Sequence, residues 1–551
     1  MKHFAAILLL WALMPCLSLA QVPDSSFGEP TSYIGLPDVF VPAITGCEFN
    51  GREDRCFAAL FPQSGKIILA GYTEGPDGTD LALVRLLSDG RFDTLAGPEG
   101  QMRIDLGYPN DSCLAAVLYG TSGLIAVGGC ARPPGQDGLV LLVARVDSDG
   151  RPDTTFGNNG HVLVDLPTKN EMVTKMVALP DGRLLLAGNA FFGNEYWYPD
   201  STAAFVGRLL PDGRVDSSFG TNGFLYQRYE YRCKASLLSA LVLDQQGRIV
   251  LSGASYSPYP NYFNYDQECT HLMRVYRYLP DGQPDPSFGV EGVSVLPFSK
   301  GRVNAIHIAE DGRILIAGII GNGIVQDLFT FVARLLPDGS PDVSFNGDGL
   351  YRDELYAISG LTEPVSIVKV EKHYYFGVVD EAGGGHSYFG LMRFTEDGRL
   401  DSLFGNGGLF MTKAWLQPGL YEVNQIHADG TQGIYISGYY SKLSQDNMMI
   451  AKVRLDKTTT SSDWPERGRL AFGVYPNPSQ GGRVGLRLGS PVSEDLLAQV
   501  YDMHGRLLLS RTVTVAEGLG VLDLAGLPAG VYALTVVGKQ VFGTERVVVG
   551  R

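Results

Sequence analysis

One phrase recurs along the chain and dictates what it can fold into. It reads Arg208-Leu209-Leu210-Pro211-Asp212-Gly213-Arg214-Val215-Asp216-Ser217-Ser218-Phe219-Gly220. Relatives begin at Arg85, Arg145, Arg277, Arg334 and Arg393, at intervals of 60, 63, 69, 57 and 59 residues. A second phrase, Pro180-Asp181-Gly182-Arg183-Leu184-Leu185-Leu186-Ala187-Gly188, has counterparts at 65–71, 247–253, 312–318 and 433–438. Such a period means one supersecondary unit repeated, each copy burying its apolar face against the next. In the third unit the pattern predicts strands over 161–166, 173–179, 183–189 and 203–210. These runs are rich in Val, Leu, Ile and aromatics and are bounded by Gly, Asp and Pro. Asp-Gly pairs suit the turns, because glycine tolerates positive φ. Repeated four-stranded units imply an all-β fold, a β-propeller. An open β-solenoid is the alternative, but it requires capping units that the sequence does not show.

Complete units begin after Gly28, Gly100, Gly160, Gly223, Gly292, Gly349 and Gly408, which makes seven. The last unit reaches Arg454-Leu455 and lacks the rest of the phrase. The missing part stands near the start as Pro23-Asp24-Ser25-Ser26-Phe27-Gly28. A repeat split between two ends implies a closed seven-bladed ring over 21–456, in which Asp24 serves Arg454. Closure also removes exposed sheet edges. In the six complete copies an Asp follows the Arg by eight residues, which marks a structural pair at each blade-to-blade connection. The recurrent Phe (27, 156, 219, 288, 345 and 404) reads as a wedge between blades; Ala96 replaces it in the first phrase.

The phrase resembles the delta-60-repeat family of bacterial exported proteins over about residues 21–456. That family carries no established chemistry to transfer.

Residues 1–20 read as a secretory signal peptide: Lys2, the apolar run from Phe4 to Met14, and Ser18-Leu19-Ala20 before the expected cleavage point. The alternative, a membrane anchor, meets an apolar run too short to span comfortably. No later apolar stretch reaches spanning length, so the mature chain is expected to have no transmembrane segment. A formal net charge of -15 argues against a nucleic-acid partner.

The repeat stops after Arg454. Residues 457–471 are polar and low in complexity, a linker. Residues 472–551 alternate strands with Gly turns, which implies a small C-terminal β-sandwich. They closely resemble the type A C-terminal sorting domain of the type IX secretion system of Bacteroidota. The resemblance rests on Tyr475-Pro476-Asn477-Pro478, Asp502 with Gly505-Arg506, Leu527 with Gly530 and Tyr532, and a closing apolar run ending in Arg551. It implies the type IX machinery as partner, passage across the outer membrane, and removal of this domain with release or attachment to surface lipopolysaccharide. An ordinary sandwich used for binding is the alternative.

Six cysteines remain after removal of Cys16, an even number that favours disulfides in an exported chain. With strands placed as above, Cys47 and Cys56 flank the first loop of unit one. Cys113 and Cys130 sit across a hairpin of unit two, and Cys233 and Cys269 close two loops of unit four. Three within-blade bridges are expected: Cys47–Cys56, Cys113–Cys130 and Cys233–Cys269.

No HExxH, GxSxG or P-loop is present, and the eight histidines show no metal-ligand spacing, so no catalytic residue, metal or cofactor is expected. The turns bearing Asp-Gly are uniform, whereas the loops at the opposite blade ends differ. Unit three carries Phe191, Phe192, Tyr196, Trp197 and Tyr198 there; unit four carries Tyr229, Tyr231, Tyr256, Tyr259, Tyr262, Phe263 and Tyr265. Loop aromatics bring large contact area with few rotors, which suits recognition of a glycan, peptide or protein; packing over the blade ends is the plainer role for them. Three functions stand open: a binding module, a propeller hydrolase or lyase using acids at the central channel, and a structural surface protein without a discrete ligand.

Overall fold

The computed structural model describes Phe27 and residues 44–49, 53–75, 78–120, 122–192, 201–227, 235–256, 272–299, 301–321, 328–352, 361–381, 387–401, 404, 408–411, 420–430, 433–442, 445–455, 472–480, 483–488, 494–501, 507–537 and 542–549. The chain divides into two compact units, Met1–Lys457 and Thr458–Arg551.

The first unit contains seven four-stranded antiparallel sheets. Blade 1 is Asp54–Leu60, Ile67–Gly75, Gly78–Leu86 and Gln101–Ile104. Blade 2 is Asp111–Tyr119, Leu124–Ala131, Val140–Val146 and His161–Val164. Blade 3 is Asn170–Ala178, Leu184–Phe192, Ser201–Leu209 and Phe224–Gln227. First strands of successive blades touch one another around the ring, so they are the innermost. Each of the seven carries a bulge, for example after Cys56 in blade 1, Cys113 in blade 2 and Val173 in blade 3. Middle strands are buried on both faces. Val140–Val146 therefore reads as a continuous apolar run broken by one arginine rather than as an alternation.

The strand grouping differs from the sequence reading by one step. His161–Val164, expected to open the third unit, is instead the outermost strand of blade 2, pairing Leu141 with Val164 and Ala144 with His161. The turn through Asn158 folds it back on the strand just completed. Periodicity identifies strands but does not say which neighbour accepts their hydrogen bonds.

The same shift defines ring closure. Leu420–Asp429, Gly433–Lys442 and Gln445–Arg454 make three strands of blade 7. Its fourth strand is Ile44–Cys47, with Ile44 opposite Ala451 and Cys47 opposite Met448. Phe27 is buried in the same junction, 5.5 Å from the Tyr435 ring. Gly90 lies in an Asp-Gly turn at φ 83°, and a Cβ there would fall 2.6 Å from the Phe27 ring. Turn geometry and wedge packing thus both require glycine. Asp24, the expected partner of Arg454, lies outside the described residues; closure is carried by the strand pairing.

An apolar cluster fills the space between each pair of neighbouring blades, including blades 7 and 1. The recurrent phenylalanines are the wedges in them: Phe156, Phe219, Phe288, Phe345 and Phe404 are all fully buried. The phrase's Arg and Asp meet as expected, with Nε–Oδ2 distances of 2.8 Å for Arg85–Asp93 and 2.7 Å for Arg145–Asp153, Arg208–Asp216, Arg277–Asp285 and Arg334–Asp342. Each arginine also donates to a carbonyl of the next blade's turn; Arg208 reaches Pro280 O at 2.6 Å and Arg145 reaches Pro211 O at 2.8 Å. Where the wedge is a phenylalanine the guanidinium lies over its ring, 4.6 Å away for Arg208 and Phe219. One side chain therefore ties its own blade, the adjoining blade and the apolar wedge together.

The second unit is also all-β. One sheet holds Phe472–Gln480, Arg483–Leu488 and Leu519–Asp523. The other holds Leu507–Val515, Glu494–Tyr501, Gly530–Val537 and Phe542–Val549. A parallel pairing of Ser479 with Val549 joins them, and alternate residues of both enclose one core, including Leu486, Val500, Leu534 and Val547. Of the sorting-motif residues, Tyr475, Pro476, Asn477 and Pro478 lie within Phe472–Gln480, Gly530 opens its strand, and Gly505 and Arg506 lie outside the described residues. Tyr532 is buried and donates to Pro528 O at 2.6 Å. The loop before the strand is thereby fixed by a motif residue.

Candidate functional site

Antiparallel alternation sends the first-to-second turns and the third-to-fourth connections of every blade to one face. The second-to-third loops and blade-to-blade crossovers go to the other. The first face carries the Asp-Gly turns and the Arg–Asp ties. The second is the variable face.

Of the aromatic residues expected to bind there, Phe192 and Tyr256 end the strands Leu184–Phe192 and Ile249–Tyr256, at the variable face. Tyr196, Trp197, Tyr198, Tyr229, Tyr231, Tyr259, Tyr262 and Tyr265 lie outside the described residues. Phe191 is no loop residue: it packs inside, with Cys130 and Met172, between blades 2 and 3.

The cysteine map is corrected for two of its three bridges. Cys113 and Cys130 are free thiols on adjacent strands, Cys113 opposite Gly129 and Cys130 opposite Ser112. Neighbouring positions on a strand point to opposite faces. Cys113 accordingly joins the core between blades 1 and 2, and Cys130 the core between blades 2 and 3. Cys47 and Cys56, also free and fully buried, share one core but belong to blades 7 and 1, so the within-blade assignment fails. Cys56 and Cys113 fill the position before the bulge that Val173, Val303 and Val423 fill elsewhere. They act as small hydrophobes, and burial pushes both thiols up to about 12. Cys233 and Cys269 lie outside the described residues.

Two residues before that cysteine the structure reveals a feature that sequence reasoning missed. Asp54, Asp111 and Glu171 occupy equivalent places at the variable end of the innermost strand in blades 1, 2 and 3, and all three are fully buried. The other blades have Ser236, Gly301, Thr362 and Tyr421 there. The signal was present as D-x-C-x-A-A, in Asp54–Ala59 and again in Asp111–Ala116. Asp54 accepts from the Phe49 amide at 2.5 Å and the Thr73 hydroxyl at 2.6 Å. Burial nevertheless raises its pKa to about 6. Glu171 accepts from the Thr168 hydroxyl, its Oε2 has no partner among the described residues, and burial raises it to about 7. Asp111 Oδ2 accepts from the Leu106 amide at 3.0 Å. Burial first, with the charges of Asp80 and Asp105 beside it, raises this group to about 7.

Asp80, Asp105 and Asp111 bring one carboxylate oxygen each to within 4.8 Å of one another. Asp80 lies near the start of the third strand of blade 1, Asp105 follows its fourth strand, and Asp111 opens blade 2. Arg103 pairs with Asp80. On the opposite face a polar cleft lies between blades 5 and 6. Its cations are committed, Arg334 to Asp342 and Lys369 to Glu396.

A ring of seven repeated blades with one structural face and one divergent face defines a repeat β-propeller, here followed by a separate β-unit. Comparison with family models agrees. Residues 63–95, 179–219 and 309–345 match a family described as "Domain of unknown function (DUF5122) beta-propeller", and residues 473–550 match the "Secretion system C-terminal sorting domain". The chain is therefore a β-propeller protein bearing a secretion sorting domain, exported to the cell surface or beyond it. Among the described residues no helix is long and apolar enough to cross a membrane. No curated protein matches the chain. Similar solved structures include a protein of unknown function from Dyadobacter fermentans (10% identity, TM-score 0.40, covering 76% of this chain and 100% of that one). Drosophila Semaphorin 2a (8%, 0.43, 92% and 98%) and the β-propeller domain of the Trilobed protease from Pyrococcus furiosus (10%, 0.34, 71% and 94%) are also similar.

Proposed function

We infer that the mature chain is a non-enzymatic binding module, carried out through the type IX machinery by residues 472–551, which presents the variable face of its ring to a glycan, peptide or protein. The contrast between faces supports this reading. One face spends the same Arg, Asp and Phe in blade after blade on holding the ring. The other differs from blade to blade: it keeps buried acids in blades 1 to 3, and the strands Leu184–Phe192 and Ile249–Tyr256 end there at the aromatics Phe192 and Tyr256. Residues that repeat in every blade answer a structural need; residues confined to one sector of a rim answer a local one.

The raised carboxylates invite a second reading, a hydrolase or lyase, because perturbed acids cluster at catalytic sites. Their burial weighs against it. A general acid must reach the proton it transfers, and Asp54, Asp111 and Glu171 are each 0% exposed.

A glycan and peptide array probed with the full mature chain, beside a Tyr256→Ala, Tyr259→Ala, Tyr262→Ala triple variant, tests the proposal. Selective binding weakened at least roughly tenfold in the variant is expected, as for loss of aromatic anchors. Equal binding by both proteins removes those tyrosines. Product release from an array glycan, lost in Asp111→Asn, would establish the enzyme reading instead.

A further inference from the structure

We propose that Asp80, Asp105 and Asp111 form a calcium site that fastens blade 1 to blade 2 at the variable rim. The proposal deepens the binding reading of that face by naming an ion that would order it.

The chemistry is that of a hard cation: three carboxylate oxygens, and neither sulfur nor imidazole in the cluster. Calcium holds its ligands at about 2.3–2.6 Å, so oxygens on opposite sides of the ion stand about 4.6–5.2 Å apart. The three oxygens here lie within 4.8 Å of one another and can share one such ion without rebuilding the backbone. Magnesium demands near-ideal octahedral geometry at about 2.0–2.1 Å and gives up its waters reluctantly, so carboxylates drawn from two blades suit calcium better. Charge is also suitable. Arg103 answers one of the three carboxylates through Asp80, which leaves two negative charges for a divalent ion.

An acidic cluster alone would carry nothing. The independent observation is Asp111, which is 0% exposed and whose Oδ1 has no hydrogen-bond partner among the described residues. Its Oδ2 is already taken by the Leu106 amide, and Asp105 Oδ1 by the Gly107 amide at 2.7 Å. The crossover between blades is thus wrapped so that its own amides orient both carboxylates, yet one buried oxygen is left over. A buried acceptor without a donor is costly, and a cation in the cluster would satisfy it. The site is also held from both sides, since Thr79 bridges to Asn110 and its hydroxyl lies 2.9 Å from that of Ser112.

The test is calorimetric titration of CaCl2 into the chelator-treated mature chain, with thermal unfolding followed in parallel. The expected result is one calcium per chain with a dissociation constant on the order of 10⁻⁴–10⁻³ M, the range of extracellular modules. Magnesium should bind at least roughly tenfold more weakly, since it dehydrates reluctantly and demands near-ideal octahedral geometry. Asp105→Asn and Asp111→Asn should each weaken calcium binding at least roughly tenfold, whereas Asp89→Asn, in a turn on the opposite face, should bind as wild type. Asp105 is exposed, so its variant is expected to fold and decides the matter if Asp111→Asn does not. Absence of calcium heat and of a thermal shift at about 10 mM calcium, well above that range, would overturn the proposal. So would wild-type affinity in Asp105→Asn. The titration uses calcium alone, so its failure leaves the array result standing.

Discussion

Asp216 and Asp111 are both buried aspartates at the rim of one ring, and their pKa values are shifted in opposite directions. Burial acts on both and by itself raises a carboxyl. At Asp216 it is outweighed by the Ser218 hydroxyl and amide and by the Arg208 guanidinium, which together hold the group below the ordinary carboxylate range. At Asp111 only backbone amides, that of Leu106 and its own, oppose burial, and two further carboxylates reinforce it. The difference teaches that each face gives its acids a different task. The Asp-Gly face uses them as struts held by hydroxyl, amide and guanidinium; the variable face leaves Asp111 and Glu171 each with one buried oxygen that no described residue answers.

The comparison breaks most readily at a strut. Asp216→Ala leaves Arg208 buried without its carboxylate, and loss of one partner of a buried pair costs about 3–5 kcal/mol. Urea unfolding should show that loss, and a change under about 1 kcal/mol, the level of a surface pair, would mean the tie is ornamental. Glu171→Gln should do the reverse. It removes a buried carboxylate held near pH 7, and should stabilise the ring at pH 8 by on the order of 2 kcal/mol, one pKa unit being worth about 1.4 kcal/mol.

A pH series sharpens the same contrast. Asp93, Asp153, Asp216, Asp285 and Asp342 are held low, so their contribution is present above the unfolded carboxyl pKa of about 3.9 and lost as pH falls through the lower native values. Asp54 and Glu171 are held high, at about 6 and about 7. Their contribution is full below the unfolded values and lost as pH rises through the native ones. Stability should therefore peak in mild acid, and Asp54→Asn with Glu171→Gln should lessen the fall on the high-pH side, where Asp111 still acts, and leave the low-pH side unchanged. A smaller effect is expected at the thiols. Cys113→Val places there the residue that blade 3 uses, and should change stability by less than about 1.5 kcal/mol. Non-reducing peptide mapping should find Cys113 and Cys130 unbridged to each other.

Much of this was legible in the chain. The phrase around Phe219 announced seven units, its wedge and its Arg–Asp tie, because each is a local solution repeated at a fixed interval. The end motifs from Tyr475 to Tyr532 marked the sorting domain for the same reason. The grouping of His161–Val164 was not legible, since a strand's composition is the same whichever neighbour it pairs with. The cysteine error followed from that one-strand shift and from reading nearness in sequence as nearness of sulfur atoms. The Asp80–Asp105–Asp111 cluster joins two blades across a crossover, and no spacing within one repeat could reveal it.

The strand Ile44–Cys47 has a temporal meaning. A ribosome delivers Ile44 early and its partner Ala451 only after the other six blades, so the ring cannot lock before then. Until blade 7 exists, the growing body is an open fan whose first and last sheets each expose an edge. The latch can therefore close only when Gln445–Arg454 meets a strand laid down before any blade was complete, and the ring forms as one cooperative step rather than blade by blade.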